Sequence, residues 1–417
     1  MRKLITFILI IVLSVGGYAS PKKSFEIKRG VNLSHWLSQR GENTPSIQDG
    51  MSATDFSRIA RAGFDHVRLP IDEEVLWQEN GQKNKEAFSY LHKGIEWALK
   101  NDLRVIVDLH IVRSHYFNAG NEGKKNSLWE KPEAQTHFLA LWQDLVQELK
   151  GYSTSDVAYE IMNEPTAPNH EDWNKLVEKA YQIIRKVEKE RVIVIGSNMW
   201  QGVDTFQYLK VPQGDEFILL SCHFYEPFLL SHYQAGWTEF GKYQGNVHYP
   251  GYLVSKDEFD SLSADDKKLV ARWRTTPWNR ETLSAFLSKA KRVADEKGLN
   301  LYCGEFGIYE KAPIESALKW YADVISVFDS LNIAWAKWDY KGGFGIYTSQ
   351  NQQKKDLLKV LMSGSGKKVV VGETPVYLDT RKPLELRVKD ALNRMTVEEK
   401  TRLSYAERSE EHTSELQ

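Results

Sequence analysis

Val157–Pro165, VAYEIMNEP, is a short apolar stretch that runs directly into Asn163-Glu164-Pro165. Val157 to Met162 is expected to form a buried strand, and Pro165, which cannot donate to a ladder, ends it. Such a strand delivers a carboxylate at its C-terminal end, where chemistry sits in parallel α/β architectures. Asn163 and Glu164 are neighbours, so both reach one pocket only if the backbone bends there. Taken alone, Asn-Glu-Pro is equally a surface turn after a core strand. Leu301–Gly307, LYCGEFG, repeats the arrangement with Glu305. Two strand-terminal glutamates are the minimum set for retaining glycoside hydrolysis, in which one gives and takes a proton and the other attacks the anomeric carbon.

Similar apolar runs occur on either side of these two. Strands are expected at Arg29–Ser34, His66–Pro70, Arg104–His110, Val192–Ser197, Phe217–Tyr225 and Ile333–Tyr340. Apolar spacing of three and four residues predicts helices at Thr54–Ala62, Ala87–Lys100, Ala134–Lys150, Trp173–Lys189, Thr282–Lys297, Ile314–Ser330 and Lys354–Met362. Eight short strands alternating with helices favour an α/β fold of the (β/α)8 TIM-barrel type over a doubly wound sheet. The connection from Glu226 to Asn279 is long and carries Trp237, Tyr243, Tyr249, Trp273 and Trp278. Loops of that kind at a catalytic face are expected to shape the cleft.

The 417 residues carry a formal net charge of −1, so there is no electrostatic case for a nucleic-acid partner. The 13 Trp and 19 Tyr suit a sugar cleft, although most belong to a core. Residues 1–20 have the form of a signal peptide, with Arg2 and Lys3, the apolar run Leu4–Val15, and Gly17-Tyr18-Ala19 as a cleavage site. A secreted or periplasmic protein is expected, with no membrane anchor after cleavage. Cys222 and Cys303 are the two cysteines. Strict strand alternation puts Cys222 opposite His223 and Cys303 on the side of Glu305, so the sulfurs should point apart as buried free thiols.

Strand ends of a barrel supply the candidates: Arg68, His110, Asn163, Glu164, His223, Tyr225, Glu305 and Trp338. Singly, each has an ordinary structural role, as ion-pair partner, core histidine or packing aromatic. Together they assign roles. An ionised nucleophile needs a cation and donors, which Arg68 and Tyr225 supply. The general acid must keep its proton, and an ionised Glu305 nearby raises the affinity of Glu164 for it. Asn163 suits a substrate 2-hydroxyl, and Trp338 offers a flat floor for a sugar. No cofactor is called for, and the histidines lack a metal-ligand spacing such as HExxH.

With those residues in place, residues 25–362 resemble glycoside hydrolase family 5, the retaining cellulase family with catalytic glutamates on the fourth and seventh strands. The resemblance implies Glu164 as acid/base, Glu305 as nucleophile, and substrate contacts from Arg68, His110, Asn163, His223, Tyr225 and Trp338. Many members carry a second His after the one on the third strand, where this chain has Ile111. Beyond a Ser-Gly-rich linker (363–382), residues 383–407 resemble the start of a family 3 glycoside hydrolase, typically a β-glucosidase. Residues 408–417, RSEEHTSELQ, resemble a translated sequencing adapter. The expectation is a truncated gene whose parent joins an endo-acting barrel to a β-glucosidase. A simple amphipathic terminal helix with a polar tail is the alternative. The expected activity is hydrolysis of internal β-1,4 bonds of a β-glucan polysaccharide or oligosaccharide by a monomer. β-Mannan, xyloglucan and mixed-linkage glucan remain alternative substrates, and a non-catalytic polysaccharide-binding protein is the alternative class.

Overall fold

A computed structural model describes residues 24–42, 44–117, 126–348 and 350–372, together with Tyr377, residues 382–395 and residues 400–401. The leader and the 408–417 stretch lie outside the described residues, as does much of the segment likened to family 3.

The described residues form ten strands in chain order: β1 (Phe25–Ile27), β2 (Arg29–Asn32), β3 (His66–Asp72), β4 (Arg104–Ile111), β5 (Val157–Glu160), β6 (Ile193–Gly196), β7 (Ile218–Phe224), β8 (Asn300–Phe306), β9 (Ala334–Lys337) and β10 (Val369–Val371). β2 to β9 close into a barrel in sequence order, each paired parallel to its neighbours, and β9 pairs back to β2. This is the (β/α)8 fold expected from the alternation. Helices α1 (Ala53–Arg61), α2 (Lys85–Leu99), α3 (Pro132–Leu149), α4 (His170–Val187), α5 (Arg280–Glu296), α6 (Ile314–Leu331) and α7 (Lys355–Leu361) surround it. Between β6 and β7 the connection is a 3₁₀ segment, Val203–Tyr208, in place of a long helix.

Local chemistry sets the helix limits. Ser52 and Asp55 form a reciprocal capping box at the start of α1, and Gly63, at φ +99°, takes the left-handed turn after it. Pro132 opens α3, where its missing N–H costs nothing. The buried stripe of α2, Phe88, Leu91, Ile95 and Ala98, packs on the strands. Phe88, Leu91 and Ile95 each contribute about 1.5–3 kcal/mol by leaving water, and the methyl of Ala98 about 0.8 kcal/mol.

Inside the barrel, Ile106, Ala158, Val194, Leu219, Tyr302, Ala334 and Ala336 form an apolar lower layer. Phe25, Ile27, Val369 and Val371 join the same cluster, because β1 and β10 pair antiparallel and cover the N-terminal end of the barrel. The 363–382 stretch, read as a linker, therefore carries a strand of the packed unit.

Two expectations are corrected here. Of the five aromatics singled out in the Glu226–Asn279 connection, Tyr243, Tyr249, Trp273 and Trp278 are buried in the connection's own packing and Trp237 is exposed, at 48%, as is Tyr252 nearby. Cys222 and Cys303 are free and buried, as expected, but their sulfurs do not point apart. The two residues pair in register on β7 and β8, share the outer core, and interact through their thiols. The reason is a register shift in β8 between Cys303 and Phe306. Tyr302 faces inward and Cys303 outward, yet Glu305 faces inward as well. Alternation breaks at Gly304, where a Cβ would come within 2.9 Å of Ser221 Oγ.

Among the described residues, no helix is long and apolar enough to cross a membrane.

Candidate active site

Arg68 projects from β3 into the barrel and is fully buried. Its Nε and Nη2 grip Glu160 of β5 at 2.7 and 3.0 Å. Nη2 also lies 2.9 Å from Asp108 Oδ2 on β4 and donates to Asn163 Oδ1 at 2.8 Å. Nη1 donates to Asn32 Oδ1 at 2.9 Å and to Glu305 Oε1 at 2.7 Å. One cation thus organises three carboxylates and two amides. An unpaired buried charge is very costly, which is why so many acids surround this arginine.

Glu305 receives a second donor, the Tyr225 hydroxyl, at 2.9 Å from Oε2. Burial raises the Tyr225 phenol well above its usual range, and the nearby Glu305 and Glu164 charges raise it further, so it stays protonated and able to donate. Glu164 follows the end of β5, and its Oε1 lies 2.7 Å from His223 Nδ1. The same Nδ1 is 3.7 Å from Glu305 Oε2. Burial holds His223 well below the ordinary imidazole range, with the Arg68 charge acting in the same direction, so the ring is neutral.

The two glutamates differ in their hold on a proton. Burial pushes Glu164 well above the carboxylate range, and the Glu305 charge adds to that. Burial raises Glu305 too, but Arg68, His110 and the Tyr225 hydrogen bond oppose the rise. The shared proton therefore resides on Glu164 and the charge on Glu305. Among the described residues, Glu164, His223 and Glu305 are the one trio of carboxylate and imidazole groups whose ligand atoms all lie within 4.8 Å of one another. They are also the only described set with metal-ligand spacing.

His110 lies flat against Trp338, with ring centroids 5.6 Å apart and planes 4° from parallel. Asp108 Oδ2 sits 2.6 Å from His110 Nδ1, and burial moves Asp108 up to about 7 and His110 down to about 3. The Phe117 ring meets His110 edge-on, 5.4 Å between centroids. His110 Nε2, His223 Nε2 and Asn163 Nδ2 are buried polar atoms without a partner among the described residues. Buried polar atoms are normally satisfied, so these three are the ones a sugar hydroxyl or water would complete.

All eight expected residues meet at this one end of the barrel. Four others went unread: Asn32, Asp108, Glu160 and Gln201, whose Nε2 donates to Glu160 at 2.8 Å. Asp108 and Glu160 carried a signal. Each is a charged residue two positions from an inward-facing apolar one, Ile106 and Ala158. Gln201 lies in a loop where Met199, Trp200 and Gln201 all have positive φ, and no sequence pattern marks it.

The cellulase family model, glycosyl hydrolase family 5, matches residues 28–343. Endoglucanase C of Acetivibrio thermocellus is 31% identical over 342 residues, covering 81% of this chain and 97% of that protein. Cellodextrinase A of Ruminococcus flavefaciens is 28% identical over 75% of this chain and 85% of its own length. Among solved structures, Thermotoga maritima Cel5A in complex with mannotriose superposes with a TM-score of 0.64 at 28% identity, covering 81% of this chain and 97% of that one. The same enzyme in complex with cellobiose gives a TM-score of 0.64 at 28% identity, with the same coverage. The family match begins beside the first barrel strand and ends in the loop after the last, taking in every residue that surrounds Arg68. On that breadth of agreement the chain belongs to glycosyl hydrolase family 5, the cellulase family, and is a glycoside hydrolase.

Proposed function

We propose that the chain is a retaining endo-β-1,4-glucanase with Glu305 as nucleophile and Glu164 as acid/base. The observation that carries this reading is the pairing of the two glutamates. Their nearest ligand oxygens lie within 4.8 Å, and one is held charged while the other is held protonated. Retaining enzymes place their carboxyl groups about 5–5.5 Å apart, and inverting ones about 6.5–9.5 Å apart to admit a water.

In the first step Glu305 attacks the anomeric carbon as Glu164 gives its proton to the departing glycosidic oxygen. The carbon–oxygen bond breaks and a glycosyl ester forms on Glu305. In the second step Glu164, now a carboxylate, takes a proton from water, and the resulting hydroxide displaces Glu305. Asn163, anchored to Arg68 through Oδ1, keeps its Nδ2 free for the substrate 2-hydroxyl. That contact strengthens as positive charge develops on the sugar. Trp338, backed by His110, provides the floor.

The substrate reading rests on relatives that are an endoglucanase and a cellodextrinase. The family 3 resemblance of residues 383–407 also favours a β-glucan, since a fused β-glucosidase would finish its oligosaccharides. The reading includes export through residues 1–20 and a monomeric protein. β-Mannan is the second reading, because Thermotoga maritima Cel5A has been seen with mannotriose as well as cellobiose.

The test is reducing-sugar release from carboxymethylcellulose, barley β-glucan, xyloglucan, glucomannan and galactomannan. Release from the first two supports the β-1,4-glucanase reading. Release only from the mannans keeps the mechanism and overturns the substrate.

A further inference from the structure

We infer that His115 is a positioning residue for Glu164: from the loop after β4 its imidazole holds the backbone carbonyl of the acid/base. The inference rests on the acid/base role proposed for Glu164. His115 Nε2 lies 3.0 Å from Glu164 O. A carbonyl only accepts, so Nε2 carries the hydrogen and donates, and Nδ1 holds the lone pair. Burial lowers the ring to about 4, which keeps it in this neutral form through the working range of a glycosidase.

The loop is built to hold the ring there. His115 N donates to Val112 O at 2.9 Å, closing a tight turn at the end of β4. Leu128 N donates to Ser114 O at 3.0 Å and anchors that turn. The Trp129 ring meets the imidazole edge-on, 5.4 Å between centroids, and packs in turn on Trp173 at 6.4 Å. Trp173 Nε1 donates to Gly196 O at 2.8 Å, so this aromatic wall is tied to the end of β6.

Two facts separate this histidine from core filling. First, Nδ1 is buried with no partner among the described residues. An orphaned buried nitrogen is a penalty an apolar side chain of similar size would not incur. What His115 supplies in return is the Nε2 bond. Second, that bond falls beyond the strand itself. β5 ends at Glu160, backbone bonds from Ile161 N to Val194 O and from Asn163 N to Leu109 O, 3.2 Å each, carry the chain three residues further, and His115 takes the carbonyl of the next residue, Glu164. With Oε1 at His223 and the carbonyl at His115, Glu164 is held at both ends. Proton transfer needs the acid placed to within a fraction of an ångström, and a misplacement of about 1 Å costs about 100-fold.

The readout that isolates this role is leaving-group dependence. Cello-oligosaccharide hydrolysis needs a proton delivered to the leaving oxygen, whereas dinitrophenolate leaves unprotonated. For His115→Leu, kcat/KM on cellotetraose should fall by about 10–100-fold, while kcat/KM on dinitrophenyl β-cellobioside should stay within about threefold. His115→Gln, whose amide N–H reaches the place of Nε2, should recover most of the loss. If His115→Leu does not accumulate as folded protein, His115→Asn, one carbon too short, should show the same selective loss. Glu164→Ala, measured alongside, should show the selective pattern more strongly. If Glu164→Ala is selective but the His115 variants lose both substrates equally, or neither, the positioning role is overturned. If Glu164→Ala loses both equally, the acid/base assignment falls and the inference with it.

Discussion

Tyr225→Phe is the cleanest probe of Glu305, the proposed nucleophile. The substitution removes one oxygen and keeps the ring, which packs at 5.1 Å from His232 and 6.1 Å from Phe344. No cavity is made larger than the lost hydroxyl. What disappears is the 2.9 Å hydrogen bond to Glu305 Oε2, leaving Arg68 as the main stabiliser of that charge. Hydrogen bonds to charged groups contribute about 1.5–3 kcal/mol. At 1.36 kcal/mol per pH unit, the loss equals about one to two units. The sign follows from the bond favouring ionised Glu305. Without it Glu305 binds its proton more tightly, and the ionised, active form appears only at higher pH. The acid limb of kcat/KM for dinitrophenyl β-cellobioside, a substrate that needs no acid, should therefore move upward by about one to two pH units. Below the limb the variant should be about 10–100-fold slower than the parent at the same pH. An acid limb that stays in place or moves down would refute the reasoning.

Glu305→Ala should lower turnover by at least about a thousandfold while calorimetry still detects cello-oligosaccharide binding; substantial residual hydrolysis would remove Glu305 from the nucleophile role. Glu160→Gln removes one of the three carboxylates around buried Arg68 and should reduce the free energy of unfolding by about 1.5–3 kcal/mol in denaturant titration. A loss below about 1 kcal/mol would show that Arg68 does not depend on Glu160. Neither thiol should react with Ellman's reagent in the folded protein, and both should react after unfolding without reductant, because Cys222 and Cys303 are free and buried. Reactivity before unfolding, or none afterwards, would contradict the arrangement of β7 and β8.

Much of this molecule was legible because barrel strands are short, apolar and regularly spaced. VAYE and LYCGEF could be placed without knowing what they pack against. The candidate site was legible for the same reason, since strand ends in a barrel converge whatever the loops do. What escaped notice depended on three-dimensional departures from the pattern. β8 breaks its alternation at Gly304, so period-two reasoning misjudged the cysteines even as it identified Glu305. β1 and β10 are three residues each and pair across almost the whole chain, and such a pairing leaves no local signature. Asp108 lies within β4 and Glu160 closes β5, four residues short of Glu164, where a charge is easily discounted, although their inward register marks them as partners for a buried cation. The aromatics of the long connection pack on one another, and composition alone does not separate that from a cleft wall.

The most direct measurement on the central claim is the stereochemistry of the first product. Proton NMR of cellotetraose hydrolysis, followed before mutarotation sets in, reads which anomer is released. Two glutamates whose facing oxygens lie within 4.8 Å should displace twice and release the β-anomer first. The α-anomer appearing first would mean a single displacement by water and would contradict the assignment of Glu305 as the nucleophile.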